Sequence, residues 1–330
     1  MSIQPGQQVG DYEILELLES SKDGVTYKVR NVILQRYEVL RVLPRTLQND
    51  QDAVTRFLRE AQVHARMSHP NIVAFHHATQ LDGQLIMTTE LVEGTTLAAV
   101  REMGPLPVPE AVRIIAQVLA ALSYAHSLGV VHRDVTPANV ILTEDGGVKL
   151  TGFGLAKGAG DHQLTQPGIV LGSLNYISPE QIKGSTNLDC RTDIYSLGVV
   201  LYEALTGRRP FHRKSQFELM VAHMSELAPA PSVVNSAIPA RLSEIVLTAM
   251  AKDPGARFQT AEAFRQHLVP SPNSPEHVHA TLAQFEGTTP NGIPPAQHRP
   301  PHIWSSQSLL LVGCVTFLVV VLTFAVIERL

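Results

Sequence analysis

The side chains best suited to chemistry are unevenly distributed along this chain of 330 residues. Its two cysteines, Cys190 and Cys314, lie far apart without C-x-x-C spacing, which excludes a disulfide framework and a thiolate zinc site. The fourteen histidines are scattered rather than spaced as ligands along one helix, so they do not indicate a histidine metal site. The densest group of reactive side chains lies in the segment 131–140. It includes His132, Arg133, Asp134 and Asn139.

This segment resembles the catalytic loop H-R-D-x-x-x-x-N of the eukaryotic-like (bacterial Hanks-type) Ser/Thr protein kinases. In that family the aspartate orients the attacking hydroxyl and accepts its proton, and the asparagine binds magnesium. The resemblance therefore implies a catalytic role for Asp134, a catalytic and metal-binding role for Asn139, and ATP and Mg²⁺ as cofactors.

Further motifs extend the resemblance over residues 11–268. Ser178-Pro179-Glu180 matches the family's A-P-E element, and Arg257 stands where the family pairs an arginine with that glutamate. The run Glu90-Leu91-Val92-Glu93-Gly94 resembles the hinge whose backbone holds adenine. The nucleotide-binding positions that the resemblance implies are Gly24, Val39, Arg41, Glu60, Glu90, Val92 and Ile141.

The stretch aligned with the family's glycine-rich loop retains one of its three glycines. It reads Glu19-Ser20-Ser21-Lys22-Asp23-Gly24. Side chains at Glu19 and Ser21 would obstruct the approach of phosphates to the backbone, and the Glu19 carboxylate would repel them. The alternative, which the sequence leaves open, is a surface turn with a longer reach to the nucleotide.

Arg41 takes the place of the lysine that contacts the α- and β-phosphates in the family. An arginine fork is planar and bulkier than an ammonium group, so the exchange is not conservative. We expect Arg41 to pair with Glu60 and to leave no donor for phosphate. The alternative makes Glu60 a solvated partner of Arg56 or His64 on the same helix. Val39 replaces the small alanine above adenine, which narrows the pocket.

The largest loss lies in Thr151-Gly152-Phe153-Gly154, where the family has D-F-G. Gly152 replaces the aspartate that chelates magnesium and offers no ligand, so that only Asn139 remains. Rescue by a carboxylate from elsewhere in the fold is left open by the sequence. Without the lysine and this aspartate, the rate is expected to fall by about 10⁴–10⁶ if the two groups act independently. We therefore expect weak binding of ATP and Mg²⁺ or none.

Hydrophobic periodicity predicts the elements that position these residues. Alternating apolar and polar residues predict strands at 12–18, 24–29, 37–43 and 84–89. A 3.6-residue period predicts helices at 52–67, from 109 to before 129, and at 194–205. The predicted fold class is α+β, with a small β-rich N-lobe at 11–92, a larger helical C-lobe at 93–268, and one transmembrane helix.

Two segments follow the predicted kinase-like region. Residues 269–307 are rich in proline and are predicted to form an extended linker. Residues 309–327 carry no charge, and nineteen residues of helix span about 28 Å, close to the hydrocarbon thickness of a bilayer. We expect a transmembrane helix at 308–327, with a buried core helix as the alternative. With no signal peptide at the N-terminus, the predicted localisation is a single-pass membrane protein whose kinase-like domain is cytoplasmic.

The charge balance narrows the choice of partners. Twenty-six basic and thirty acidic residues give a net charge of −4, which argues against nucleic-acid binding. The resemblance and its departures together indicate a membrane-anchored pseudokinase that binds a protein partner: a kinase, a substrate or a membrane protein. The alternatives are a low-activity Ser/Thr protein kinase and a nucleotide sensor that transfers no phosphate.

Overall fold

The computed structural model describes residues 4–20, 24–153 and 173–269. Backbone contacts divide the chain into two units, Met1–Ser274 and Pro275–Leu330, and all of the second unit lies outside the described residues. The predicted transmembrane helix and nearly all of the predicted linker lie outside the described residues, as do Ser21, Lys22 and Asp23 of the glycine-loop region.

The N-lobe is built on a six-stranded antiparallel sheet in the order β1-β2-β3-β4-β6-β5. Its strands are β1 (Gln8–Val9), β2 (Tyr12–Ser20), β3 (Val25–Asn31), β4 (Arg36–Val42), β5 (Phe75–Leu81) and β6 (Gln84–Glu90). Four of these were predicted within two residues at each end. The prediction missed β1, which has two residues, and β5, where a register shift between Phe75 and His77 breaks the alternation.

One helix, α1 (Gln51–His64), packs against this sheet. The Asp50 side chain caps it by accepting hydrogen bonds from the backbone N–H groups of Asp52 and Ala53. Phe57 and Ala61 face the core, in agreement with the predicted period. The helix ends at His64, three residues before the predicted end. It brings Glu60 to the inner side of the lobe.

The C-lobe is mainly helical. Its helices are α2 (Leu97–Glu102), α3 (Val108–Ser127), α4 (Pro179–Ile182), α5 (Cys190–Thr206), α6 (Gln216–Ser225), α7 (Pro231–Val234), α8 (Ala240–Ala249) and α9 (Ala261–Leu268). A small antiparallel sheet lies beside them, formed by β7 (Thr95–Thr96), β8 (Val140–Leu142) and β9 (Val148–Leu150). Gly207 ends α5 in the left-handed conformation, with φ of 72°, as the glycine in the sequence predicts. The two predicted C-lobe helices, α3 and α5, form the centre of the core.

Within the described ranges, one helix is long and apolar enough to cross a membrane, and it is α3. Ile114, Ile115 and Leu119 of this helix are fully buried in the C-lobe core. Its apolar composition is therefore explained by packing inside the domain. It is a different segment from the predicted transmembrane helix.

Candidate functional site

The loop that carries Asp134 is fixed by the buried side chain of Asp193 on α5. The Asp193 carboxylate accepts hydrogen bonds from the backbone N–H groups of His132 and Arg133, at 2.9 and 2.7 Å. His126 contacts the same carboxylate at 2.7 Å. Burial raises the pKa of Asp193, but the contact with His126, followed by the effects of His132 and of the Arg133 backbone N–H, holds that pKa below its usual range. The loop conformation thus depends on the C-lobe core, and Arg133 adopts it with φ of 70°.

His132 connects this loop to the segment that contains Gly152. Its Nδ1 accepts a hydrogen bond from the backbone N–H of Asp134 at 3.2 Å, and its Nε2 donates to the backbone oxygen of Thr151 at 2.8 Å. The two contacts require the tautomer with its proton on Nε2. They set the position of Thr151 relative to Asp134.

Asp134, Asn139 and Gly152 meet at one point. Asn139 Nδ2 donates to the backbone oxygen of Asp134 at 2.8 Å and to its carboxylate Oδ2 at 3.0 Å. Gly152 has φ of 87°, and a Cβ placed on it would lie only 2.6 Å from Asn139 Cγ and Nδ2. The Asn139 carboxamide therefore fills the space into which a side chain at position 152 would extend.

The donor set at this point does not fit the magnesium site that the family implies. Mg²⁺ prefers carboxylate oxygens in octahedral geometry. Here Gly152 supplies none, and Asn139, whose Nδ2 donates to Asp134, offers only its amide oxygen. Within residues 4–20, 24–153 and 173–269 no group of three or more His, Cys, Asp or Glu side chains could hold a metal.

Arg41 on β4 and Glu60 on α1 form the ion pair that the sequence predicts. The contact joins Arg41 Nη1 to Glu60 Oε1, and the two side chains are 29% and 11% exposed. Gly24 lies against the same guanidinium, because a Cβ on Gly24 would be 2.9 Å from Arg41 Nε. The single remaining glycine of the loop region therefore accommodates the larger side chain that replaces lysine.

A column of rings links α1 to the catalytic loop. Phe153 is fully buried, with its ring centroid 4.5 Å from that of His132 and 5.5 Å from that of His64. Burial, helped by His132 and Arg41, lowers the pKa of His64 to about 4. The sequence marked His64 only as an alternative neighbour of Glu60. Its place in the column depends on tertiary packing, and no local pattern indicated it.

The predicted hinge lies at the end of β6. Val39 pairs with Thr89 across β4 and β6, and Glu90 forms an ion pair with Lys149 at 2.6 Å. Ile141 lies in β8 between Thr96 and Lys149. Within the described ranges, the backbone of Val92 makes no hydrogen bond with the protein. Lys149 was missed, because in the sequence it is one polar residue in a short strand.

Glu180 and Arg257 form the interaction that the resemblance implies. The guanidinium of Arg257, which is fully buried, donates from Nη1 and Nη2 to the two carboxylate oxygens of Glu180, each at 2.8 Å. Thr192 also donates to Glu180 at 2.9 Å. These hydrogen bonds and the charge of Arg257 outweigh burial and hold the pKa of Glu180 below its usual range. The pair joins α4 to the loop before α9.

Comparison with solved structures supports the two-lobe fold. The kinase domain of PknI from Mycobacterium tuberculosis is similar, with a TM-score of 0.62 and 30% sequence identity, over 81% of this chain and 98% of that chain. The β-rich N-lobe and helical C-lobe of the present chain thus resemble a solved kinase domain in both fold and sequence.

Sequence comparison gives relatives of the same kind. A probable serine/threonine-protein kinase of Clostridium perfringens is 40% identical over 252 residues, covering 76% of this chain and 37% of the relative. The serine/threonine-protein kinase PrkC of Bacillus subtilis is 36% identical, covering 77% and 39%, and PknE of M. tuberculosis is 37% identical, covering 77% and 45%. The chain thus spans less than half the length of these relatives.

The protein kinase domain family matches residues 12–269, from the start of β2 to the end of α9. That range contains the anchored catalytic loop, the Arg41–Glu60 pair and the Glu180–Arg257 pair. With the fold, these contacts and the relatives in agreement, the chain belongs to the protein kinase domain family.

Proposed function

We propose that this chain is a pseudokinase: a membrane-anchored kinase-fold domain that binds a protein partner and transfers phosphate poorly or not at all. The arrangement of Gly152 and Asn139 is the main support. Glycine at position 152 offers no metal ligand, and the Asn139 carboxamide fills the space into which a side chain at that position would extend. The anchor is the predicted helix at 308–327, and the cytoplasmic location of the domain belongs to the same proposal.

The chain's own residues at the site hold and orient one another. Arg41 neutralises Glu60, and Asn139 donates to Asp134. In the family, the lysine at the position of Arg41 contacts the phosphates, the asparagine binds magnesium, and the aspartate orients the attacking hydroxyl. Here the Arg41–Glu60 pair joins β4 to α1, and the Asn139–Asp134 contact holds the catalytic loop together. Contacts of this kind support a domain that is used for its shape rather than for turnover.

A second function, a low-activity Ser/Thr protein kinase, is favoured by the names of the relatives. Proteins 36–40% identical to this chain are described as serine/threonine-protein kinases. Asp134 is also in place on its anchored loop, with its side chain partly exposed. This candidate requires transfer of the ATP γ-phosphate to a protein hydroxyl with Asp134 as proton acceptor.

Intact mass spectrometry separates the two functions. The full chain in a neutral detergent is incubated with ATP, a generic acceptor protein, and either Mg²⁺ or Mn²⁺, beside an Asp134→Asn copy. We expect no added phosphate on either copy. Phosphate that appears only when Asp134 is intact would establish the low-activity kinase instead. If ATP stabilises both copies against heat without transfer, the domain is a nucleotide sensor.

A further inference from the structure

A buried glutamate in the C-lobe has more positive charge around it than it can neutralise. Glu203 on α5 is fully buried, and its Oε2 accepts a hydrogen bond from Tyr176 at 2.6 Å. Its Oε1 lies 3.0 Å from Arg101 Nη1 and 3.5 Å from Arg209 Nε. One carboxylate thus faces two guanidinium groups, whose side chains are partly exposed.

The hydrogen bonding at this point is incomplete. Arg101 Nε is buried and has no hydrogen-bond acceptor among the described residues, and Glu203 Oε1 has no donor there with hydrogen-bond geometry. The Arg101 and Arg209 side chains are 26% and 31% exposed, so their outer N–H groups are open to an anionic oxygen of a bound partner. Arginine is the side chain best suited to receive it, because its planar fork matches a carboxylate or a phosphate.

The loop after α5 extends this positive surface. Gly207 reverses the chain, and the next seven residues include four cations, namely Arg208, Arg209, Arg213 and Lys214. Arg213 is neutralised by Glu226. Within the described ranges, Arg208 and Lys214 are exposed and neither has a carboxylate at ion-pair distance. The chain as a whole is acidic, with a net charge of −4, so this concentration of cations is local.

We propose that Arg101, Arg208, Arg209 and Lys214, here called the basic patch, form a docking site for an acidic segment of a protein partner. Carboxylate or phosphoryl groups of that segment would bind the arginine forks in competition with the carboxylate of Glu203. This deepens the proposed function, since a scaffold needs a partner surface, and it names the chemistry of that partner. Peptide binding and phosphate transfer are measured separately, so either proposal can fail without the other.

Fluorescence anisotropy tests the patch on the full chain in a neutral detergent. The probes are a labelled peptide of alternating Asp and Glu, the matched Asn and Gln peptide, and a phosphoserine peptide of equal length. We expect saturable binding of the two acidic peptides only, weakened as salt is raised because the contacts are partly exposed. The double variant Arg208→Gln/Lys214→Gln is expected to weaken binding of the acidic peptides about tenfold. The control is Arg30→Gln in the N-lobe, where Arg30 makes an exposed contact with Glu13, and this variant is expected to bind the peptides as the wild type does.

The variant Glu203→Gln is expected to strengthen acidic-peptide binding, whereas the double variant weakens it. Removing the internal counter-charge while keeping an acceptor for Tyr176 is expected to tighten acidic-peptide binding about threefold or more. A merely structural role of Glu203 predicts no gain. Equal binding of acidic and neutral peptides, or acidic binding unchanged in Arg208→Gln/Lys214→Gln, would overturn the proposal. Binding of vesicles containing anionic lipid, lost in that variant while the peptides do not bind, would assign the patch to a membrane surface instead.

Discussion

The carboxamide of Asn139 and the missing side chain of residue 152 compete for one volume. A Cβ on Gly152 would come within 2.6–2.8 Å of three atoms of Asn139, while the amide of Asn139 makes two hydrogen bonds to Asp134. In the present conformation, an aspartate could return to position 152 only if Asn139 moved. The loss of the metal ligand is therefore coupled to the position of a second residue.

A double-mutant cycle measures this coupling. Gly152→Ala is expected to destabilise the wild-type domain by about 2–4 kcal/mol, because a positive φ and a steric overlap with Asn139 add together. In an Asn139→Ala background only the cost of the positive φ remains, about 1–2 kcal/mol. Urea unfolding of the four proteins gives the coupling energy. Identical costs in the two backgrounds would mean that the two residues do not share space.

Restoring the family's lysine is not expected to restore chemistry. Arg41→Lys keeps the charge but loses the planar fork that contacts Glu60, so a small loss of stability, about 1 kcal/mol or less, is expected. No phosphate transfer is expected in Mg²⁺, since position 152 still offers no ligand. Intact mass after incubation with ATP is the readout, and Glu60→Gln is the control for loss of the ion pair. Transfer by Arg41→Lys alone would show that the lysine was the missing group.

The buried pair between Arg257 and Glu180 is expected to contribute strongly to stability. Arg257→Gln leaves a largely buried carboxylate without its main partner, at a cost of about 3–5 kcal/mol. Arg265 offers a matched control, because it also donates two hydrogen bonds to one glutamate, Glu262, at 2.7 and 2.9 Å, but both side chains are about 40% exposed. Arg265→Gln is expected to cost less than about 1 kcal/mol. Similar urea midpoints for the two variants would contradict this assignment.

His64 gives the domain a defined sensitivity to acid. Its pKa is about 4 in the folded state, below the ordinary histidine value of 6.5, so the unfolded chain binds more protons as the pH falls below 6.5. The stability that neutral His64 contributes is complete above that pH and is lost progressively down to about pH 4. Between pH 7 and pH 5 the loss is about 2 kcal/mol.

Replacing His64 by leucine, which does not titrate, tests this pH dependence. His64→Leu should lose about 2 kcal/mol less stability than the wild type between pH 7 and pH 5. Urea unfolding at the two pH values measures the difference. Equal pH slopes for His64→Leu and the wild type would show that His64 is not buried in its neutral form.

The sequence was informative where local periodicity or a spaced motif carried the structure. Strands β2, β3, β4 and β6 and helices α1, α3 and α5 were predicted, because alternation or a 3.6-residue period reflects which face is buried. The Arg41–Glu60 and Glu180–Arg257 pairs followed from the family resemblance. Short elements such as α2 and α7 were missed, since four to six residues contain too little of a period.

Features that depend on contacts between distant segments were not predictable. Nothing near Asn139 in the sequence shows that its carboxamide fills the space beside Gly152, thirteen positions later. The burial of His64 against Phe153 and the pairing of Lys149 with Glu90 likewise arise only when the two lobes are assembled. The Glu203 cluster brings together α2, α5 and the loop after α5, which no single motif describes.

Asp193 gives the domain a form of modularity. Its carboxylate holds the backbone of His132 and Arg133 from inside the C-lobe core. Side chains such as those at positions 41 and 152 can therefore be exchanged while the loop that displays Asp134 keeps its shape. A fold built in this way can change the groups beside this loop and still offer partners the same surfaces.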